Sequence, residues 1–188
     1  ADLGIARGVS ASSAQGYGFS RHSPIYAPVD EAHRVRPLNS YAASKIAGEQ
    51  AATYFHDRYG LQICSFRFMG VRAPDELPGQ IAAISKDPTT DAGLLWTRTD
   101  ARDAATACRL ALETEAQLHG VYNITGARVA VDICTADLLT AHCPATEQRA
   151  DIQGHCSPLS CARAARDFGY QPSFVWSTDR HHAESQPR

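Results

Sequence analysis

The sequence predicts an α/β fold built on a parallel sheet, and three observations carry that prediction. Strand-like and helix-like segments alternate along the first half of the chain, the order that a parallel sheet requires. A long helical pattern closes at Gly60 and passes directly into the apolar run Leu-Gln-Ile-Cys-Ser-Phe-Arg-Phe, the αβ half of a parallel unit. The composition is that of a globular core, with 44% hydrophobic and 20% charged residues in a chain of 188.

The elements follow in order. Gly4 reads as the left-handed stop of a helix tail over residues 1–3, and residues 8–12 read as the first strand. Gly16, Gly18, Pro24 and Pro28 punctuate a loop that runs to Pro37. Asn39 and Ser40 offer a helix cap, and residues 41–59 follow as a helix with Ile46, Ala47, Ala51 and Tyr54 along one side. Residues 61–68 alternate as a strand between Gly60 and Gly70. The stretch 74–88 is loop-rich with a short helix over 80–85, and residues 94–97 read as a short strand. A helix over 102–115 carries Ala104, Ala105, Cys108 and Leu112 on one stripe. Residues 121–125 read as a strand, and Asp132 offers a cap for a helix through Leu139. A last helix over 160–168 ends at Gly169 before a Pro-containing tail, whose end (178–188) is polar and expected to fray.

Charge and cysteine usage exclude several classes. With 18 basic and 20 acidic side chains the net charge is -2, so no basic surface points to nucleic acid. No apolar run reaches the length of a membrane span, and residues 1–20 lack a signal-peptide pattern. The six cysteines are scattered through a chain of normal apolar content and contain no CxxC pair, so a reducing, cytoplasmic setting and no metal are expected. Cys64 and Cys108 sit among apolar residues and read as small buried hydrophobes, and Trp96 and Trp176 are expected to pack. Of the basic residues sixteen are Arg and only Lys45 and Lys86 are Lys, which makes a lysine at a chemically sensible position stand out.

One constellation carries chemistry: Ser12-Ser13-Ala14-Gln15-Gly16-Tyr17-Gly18, followed by Asn39-Ser40-Tyr41-Ala42-Ala43-Ser44-Lys45. Tyr41 and Lys45 are four apart at the start of a helix and project from one face. A phenol ionises near pH ~10 in water and is a poor base at neutrality, but a neighbouring ammonium favours the phenolate. A serine hydroxyl delivered from the end of the preceding strand can hydrogen-bond the same substrate oxygen. Together these make a proton-transfer device for interconverting an alcohol and a ketone. A Tyr-x-x-x-Lys pair alone is usually a solvated helix face, and the upstream serines and strand–loop–helix context favour the chemical reading.

Ser12-Ser13-Ala14-x-x-Tyr17-Gly18, Pro28-x-Asp30-Glu31 and Ser40-Tyr41-x-x-Ser44-Lys45-x-x-x-Glu49 resemble the extended short-chain dehydrogenase/reductases, the NAD-dependent epimerase/dehydratase group. The likeness continues through Asp100-Ala101-Arg102-Asp103-Ala104-Ala105, Gly120-Val121-Tyr122-Asn123-Ile124 and Ser160-x-x-Arg163-Ala164-x-x-Asp167-Phe168-Gly169-Tyr170-x-Pro172. The resemblance implies a partial Rossmann-type, doubly wound parallel sheet with a small C-terminal α+β substrate-binding region. Residues 1–72 would be the catalytic half, and residues 73–188 the mixed substrate-binding region with returning helix and strand elements. No G-x-G-x-x-G is present, so the glycine-rich turn that cradles a dinucleotide pyrophosphate would lie before Ala1.

The same resemblance implies NAD or NADP as cofactor and assigns roles. Tyr41 would be the acid/base, and Lys45 would bond the nicotinamide ribose. Ser13, rather than Ser12, would polarise the substrate oxygen, while backbone at Ala11 and at Met69–Gly70 would flank the nicotinamide. Relatives often dimerise through the helix bearing Tyr41 and Lys45, and the Ala-rich stretch 42–52 suits close packing.

Departures from the pattern narrow the expectation. Dehydratases of the group carry Thr-Asp-Glu where this chain has Ser13-Ala14-Gln15, which argues against elimination of water. Gly70-Val71-Arg72-Ala73-Pro74 replaces a usual Asn-Val-Tyr-Gly-Pro, so Arg72 adds a cation that could grip a carboxylate or phosphate, or simply be solvated. The stretch 73–93 is short, which favours a sugar, sugar acid or similar small molecule over a nucleotide diphosphate. Asp30 and Glu31 read as surface loop residues, Asp103 as a helix-cap residue, and His155 as a surface loop residue at a pocket rim. The competing expectations are a truncated, non-catalytic family member without the pyrophosphate site, and a regulatory binding module.

Overall fold

The structure, a computed structural model, describes residues 4–149 and 152–174. The expectations for residues 1–3, Trp176 and 178–188 lie outside them. In chain order the elements are β1 (Arg7–Ser13), β2 (Tyr26–Ala27), α1 (Ser40–Tyr59), β3 (Gln62–Phe68), β4 (Val71–Arg72), α2 (Leu77–Lys86), β5 (Thr99–Asp100), α3 (Ala101–Glu113), β6 (Gly120–Ile124), α4 (Thr135–His142), β7 (Glu147–Gln148) and α5 (Ala162–Phe168). β1, β3 and β6 form a parallel sheet in that order, and the pairs β2/β7 and β4/β5 are short parallel ladders. No described helix is long and apolar enough to cross a membrane.

The two faces of the main sheet differ in chemistry because side chains alternate along each strand. Cys64, Phe66, Tyr122 and Ile124 form an apolar face that packs on Ala107 and Ala111 of α3, Ala164 and Phe168 of α5, and Tyr170. The opposite face carries Ser12, Arg67 and Asn123, set side by side by the register Ser12↔Arg67 and Arg67↔Asn123. Helix α1 covers this polar face. A second core joins Trp96, Val129, Val131, Leu138 and Leu139, and a third gathers Ala14, Tyr17, Phe19, Val29, Met69 and Leu95 at the C-terminal end of the sheet.

Several expectations are corrected. The buried residues of α1 are Ala42, Glu49 and Ala52, whereas Ala47, Ala51 and Tyr54 are exposed. The apolar stripe was the wrong guide because the sheet face beneath α1 is polar. On α3 the buried stripe is Asp103, Ala107 and Ala111, and Leu112 is exposed. Residues 94–97 are not a strand: Leu95 and Trp96 have φ of 49° and 54°, and a 3-10 helix, Pro88–Leu94, precedes them. Pro88 starts that turn and its carbonyl accepts the Trp96 indole N–H at 2.8 Å, so the apolar run is buried by a turn. Only Thr97 bridges, antiparallel, to Val129.

The loop-rich stretch holds a longer helix than expected, α2, whose Leu77, Ile81 and Ile84 are buried at helical spacing. Helix α4 begins at Thr135 and is not capped by Asp132, which lies 3.1 Å from His155. The Thr135 N–H and hydroxyl are held instead by the carbonyls of Gly154 and Cys156. The cap of α3 is Asp100, whose carboxylate accepts from the Arg102 N–H at 2.8 Å. Asp103 is buried and accepts the N–H groups of Ser173 and Phe174, pinning the end of the described chain to α3.

Candidate active site

The end of β1 turns sharply. Ser13 caps a 3-10 turn, Ala14–Tyr17, by accepting the Gln15 N–H at 3.2 Å, which leaves its hydroxyl hydrogen to donate elsewhere. Gly18 closes the turn at φ 78°, and a Cβ there would stand 2.3 Å from the Arg36 carbonyl oxygen. Only glycine fits that approach. The close contact, with the Arg36 N–H on Gly16 O at 2.8 Å, folds the intervening loop back and delivers the chain to Asn39 beside the end of β1.

Asn39 has extended backbone and its side-chain oxygen accepts the Ala42 N–H at 2.8 Å, which starts α1. Tyr41 therefore sits in the first turn, half exposed. Lys45 follows one turn later with Nζ 5.4 Å from the centre of the Tyr41 ring. The same ammonium donates to the Ala11 carbonyl at 2.8 Å. Thus Tyr41, Lys45 and Ala11, separated by some thirty positions in sequence, meet where the end of β1 faces the start of α1.

The other predicted residues are placed as follows. Ser13 lies two residues beyond Ala11 and is buried. Met69 and Gly70 follow β3, the strand next to β1. Gly70 has φ of 52°, and Met69 O accepts both the Thr99 N–H and the Thr99 hydroxyl at 2.9 Å. Arg72 is half-buried in β4 and donates to Val71 O at 2.7 Å and to Gln80 at 3.3 Å. Glu31, expected on the surface, is half-buried and accepts the Asn123 N–H at 2.7 Å. Burial raises its carboxyl above the ordinary carboxylate range. His155 remains a half-exposed loop residue beside Asp132. A cavity of about 280 Å³, bordered by Pro28, Gly126, Cys161 and Tyr170, contains none of the predicted site residues.

Sequence reasoning missed the group directly beneath the site. Glu49 is buried; its Oε1 accepts from the Ser12 hydroxyl at 2.5 Å and from Arg67 Nε at 2.8 Å, and its Oε2 from Arg67 Nη2 at 2.6 Å. The Arg67 guanidinium lies 4.8 Å from the centre of the Tyr17 ring, and the Tyr17 hydroxyl donates to Asn123 Oδ1 at 2.7 Å. Burial pushes the Tyr17 phenol up to about 12, against the opposing charge of Arg67, so Tyr17 stays neutral. The available signal was an acid and a base inside elements that each bury one face, where a lone charge is costly and a pair is expected.

Residues 1–125 match the model of a family described as the NAD dependent epimerase/dehydratase family. Over 63 residues the chain is 35% identical to a Methanocaldococcus jannaschii protein named "Putative UDP-glucose 4-epimerase", covering 33% of this chain and 21% of that protein. A short-chain dehydrogenase/reductase superfamily protein from Agrobacterium tumefaciens with bound NAD superposes with a TM-score of 0.62 at 21% identity, covering 93% of this chain and 64% of that chain. UDP-glucuronic acid 4-epimerase from Bacillus cereus, in complex with UDP-glucuronic acid and NAD, gives a TM-score of 0.56 at 21% identity, covering 90% and 57%. The structural likeness shows a shared α/β fold, and this chain spans less than two thirds of the length of these proteins.

Proposed function

Because the chain belongs to the NAD dependent epimerase/dehydratase family, we propose that it carries the catalytic side of an enzyme that interconverts a hydroxyl and a carbonyl on a sugar-type substrate, free or nucleotide-linked. The observation that supports this reading best is the Lys45 ammonium, set between the Tyr41 ring at 5.4 Å and the Ala11 carbonyl at 2.8 Å.

The donors present fit the nicotinamide ribose. An ammonium has three N–H donors, and Ala11 takes one, leaving two for a pair of ribose hydroxyls. Tyr41, Lys45, and backbone at Ala11 and Met69–Gly70 would hold that half of the cofactor, and NAD or NADP bound there supplies hydride acceptance and return.

Tyr41 takes the proton from the substrate hydroxyl oxygen in one direction and gives it back in the other. Lys45 places beside the ring the positive charge that a phenolate needs. Ser13, whose oxygen already accepts from Gln15, donates its O–H to the same substrate oxygen and fixes its position. Arg72 retains guanidinium donors beyond those given to Val71 and Gln80, and its role is to bind an anionic group of the substrate. The stretch 73–93 folds largely as α2 and a 3-10 helix, and the substrate panel below covers both free and nucleotide-linked sugars.

The test is a substrate panel with the full-length protein. UDP-glucose, UDP-glucuronic acid, free sugars and sugar acids are incubated with NAD or NADP, and proton NMR follows the sugar while absorbance at 340 nm follows the cofactor. Conversion of a panel member is expected, with net absorbance for oxidation and none for epimerisation. Recovery of every sugar unchanged would overturn the reading.

A further inference from the structure

We propose that Glu49 is a positioning residue: its buried carboxylate clamps α1 to the ends of β1 and β3 and so sets the register at which Lys45 and Tyr41 meet the end of β1. The proposal rests on the reading of Tyr41 and Lys45 given above.

Tyr41, Lys45 and Glu49 recur at four-residue steps and so share one face of α1. That face touches two consecutive residues of β1, Lys45 through the Ala11 carbonyl and Glu49 through the Ser12 hydroxyl. The second arm of the clamp reaches the neighbouring strand, where Arg67 grips both oxygens of Glu49. Arg67 stands in register with Ser12 on one side and Asn123 on the other. Tyr17 ties Arg67 to Asn123, and Asn123 donates to Glu31 through its N–H and to Val29 O through its side chain. The clamp is thereby anchored in all three strands of the main sheet.

Packing gives the helix contacts without bonding direction. The other buried residues of α1 are Ala42 and Ala52, single methyls, and half-buried Ile46 lies against Gly16 just beyond β1. Bidentate bonds between a carboxylate and a guanidinium fix both distance and angle. Nor does fold stability require a charge pair here, since a buried ion pair can often be replaced by apolar groups of similar volume without loss. What apolar groups cannot reproduce is direction.

The experiment separates stability from placement in the full-length protein. The double variant Glu49→Leu/Arg67→Met removes the clamp while filling its volume, and Ser12→Ala removes one arm while keeping the ion pair. Measured are the thermal midpoint, kcat and KM on whichever panel substrate is turned over, and the NMR signal of Lys45 after reductive ¹³C-methylation, identified by its loss in Lys45→Arg. A wild-type midpoint with kcat down about tenfold, KM within twofold and a displaced Lys45 signal is expected for the double variant. A kcat that returns to wild type together with the midpoint would overturn the proposal. If the double variant does not fold, Ser12→Ala decides: its Lys45 signal moves if the clamp sets the register, and an unmoved signal refutes it. The lysine signal needs no substrate, so it judges the clamp even if the catalytic reading of Tyr41 fails.

Discussion

At the scale of single residues the candidate site sets exposed Tyr41 and half-buried Lys45 above a buried Glu49–Arg67 pair. The proximity of Tyr41 and Lys45 was legible because a tyrosine and one of only two lysines fall four apart behind a helix cap. Glu49 stands in the Lys45-x-x-x-Glu49 pattern, but its pairing with Arg67 was not legible, because a charged residue reads as a solvated face until its partner on another element is known. Ser13 and Ser12 look alike in sequence, and the structure distinguishes their environments: the Ser12 hydroxyl is spent on Glu49, while Ser13 keeps a hydrogen to donate. Ser13→Ala is expected to lower kcat about 10²-fold, the cost of one oxygen-stabilising donor, with little change in KM. Steady-state kinetics on the converted substrate check it, and Ser12→Ala should not reproduce that size of effect.

Among the elements, punctuation was easier to read than burial. Asn39, Gly60 and Gly169 mark helix ends in the sequence and do so in the structure, with Gly60 and Gly169 at φ of 70° and 72°. The apolar side of α1 with Ala47, Ala51 and Tyr54 does not mark its buried side, because the sheet surface beneath the helix carries Ser12, Arg67 and Asn123. The 94–97 segment was misread because four apolar or β-prone residues look alike in a strand and in a buried turn. Asn39→Ala should cost about 1 kcal/mol of unfolding free energy, the usual value of a helix N-cap, measured by denaturant titration.

The far end of α1 carries a pH-dependent contact. His56 and His119 stack with ring centres 3.9 Å apart and planes within 3°. Burial, reinforced by the charge of His56, lowers His119 below the ordinary histidine value; Asp57 opposes the shift and Arg163 adds to it. The folded state therefore binds that proton less readily than the unfolded chain, and stability present at neutral pH is lost as pH falls below about 6.5. His119→Gln should lose less stability than wild type between pH 7.5 and pH 5 in denaturant titrations. An equal loss in both proteins would remove His119 from the acid response.

For the whole molecule, the sequence order of helices and strands indicated a parallel sheet, but its lateral arrangement was not readable. The order β1-β3-β6 depends on the residues after 73 returning to the first sheet, through α3, β6 and α5. That return places Asn123 next to Arg67 and Thr99 next to Met69, contacts that link distant parts of the chain at the carboxyl ends of the strands. The same ends carry Ala11, Ser13, Met69 and Gly70, which is where open parallel sheets bind their ligands. The claim on which the functional reading turns is that Tyr41 moves the proton. Tyr41→Phe in the full-length protein, checked by circular dichroism for an unchanged fold, should lower turnover of the converted panel substrate by at least about 10²-fold. Turnover at the wild-type rate would show that the proton passes through another group.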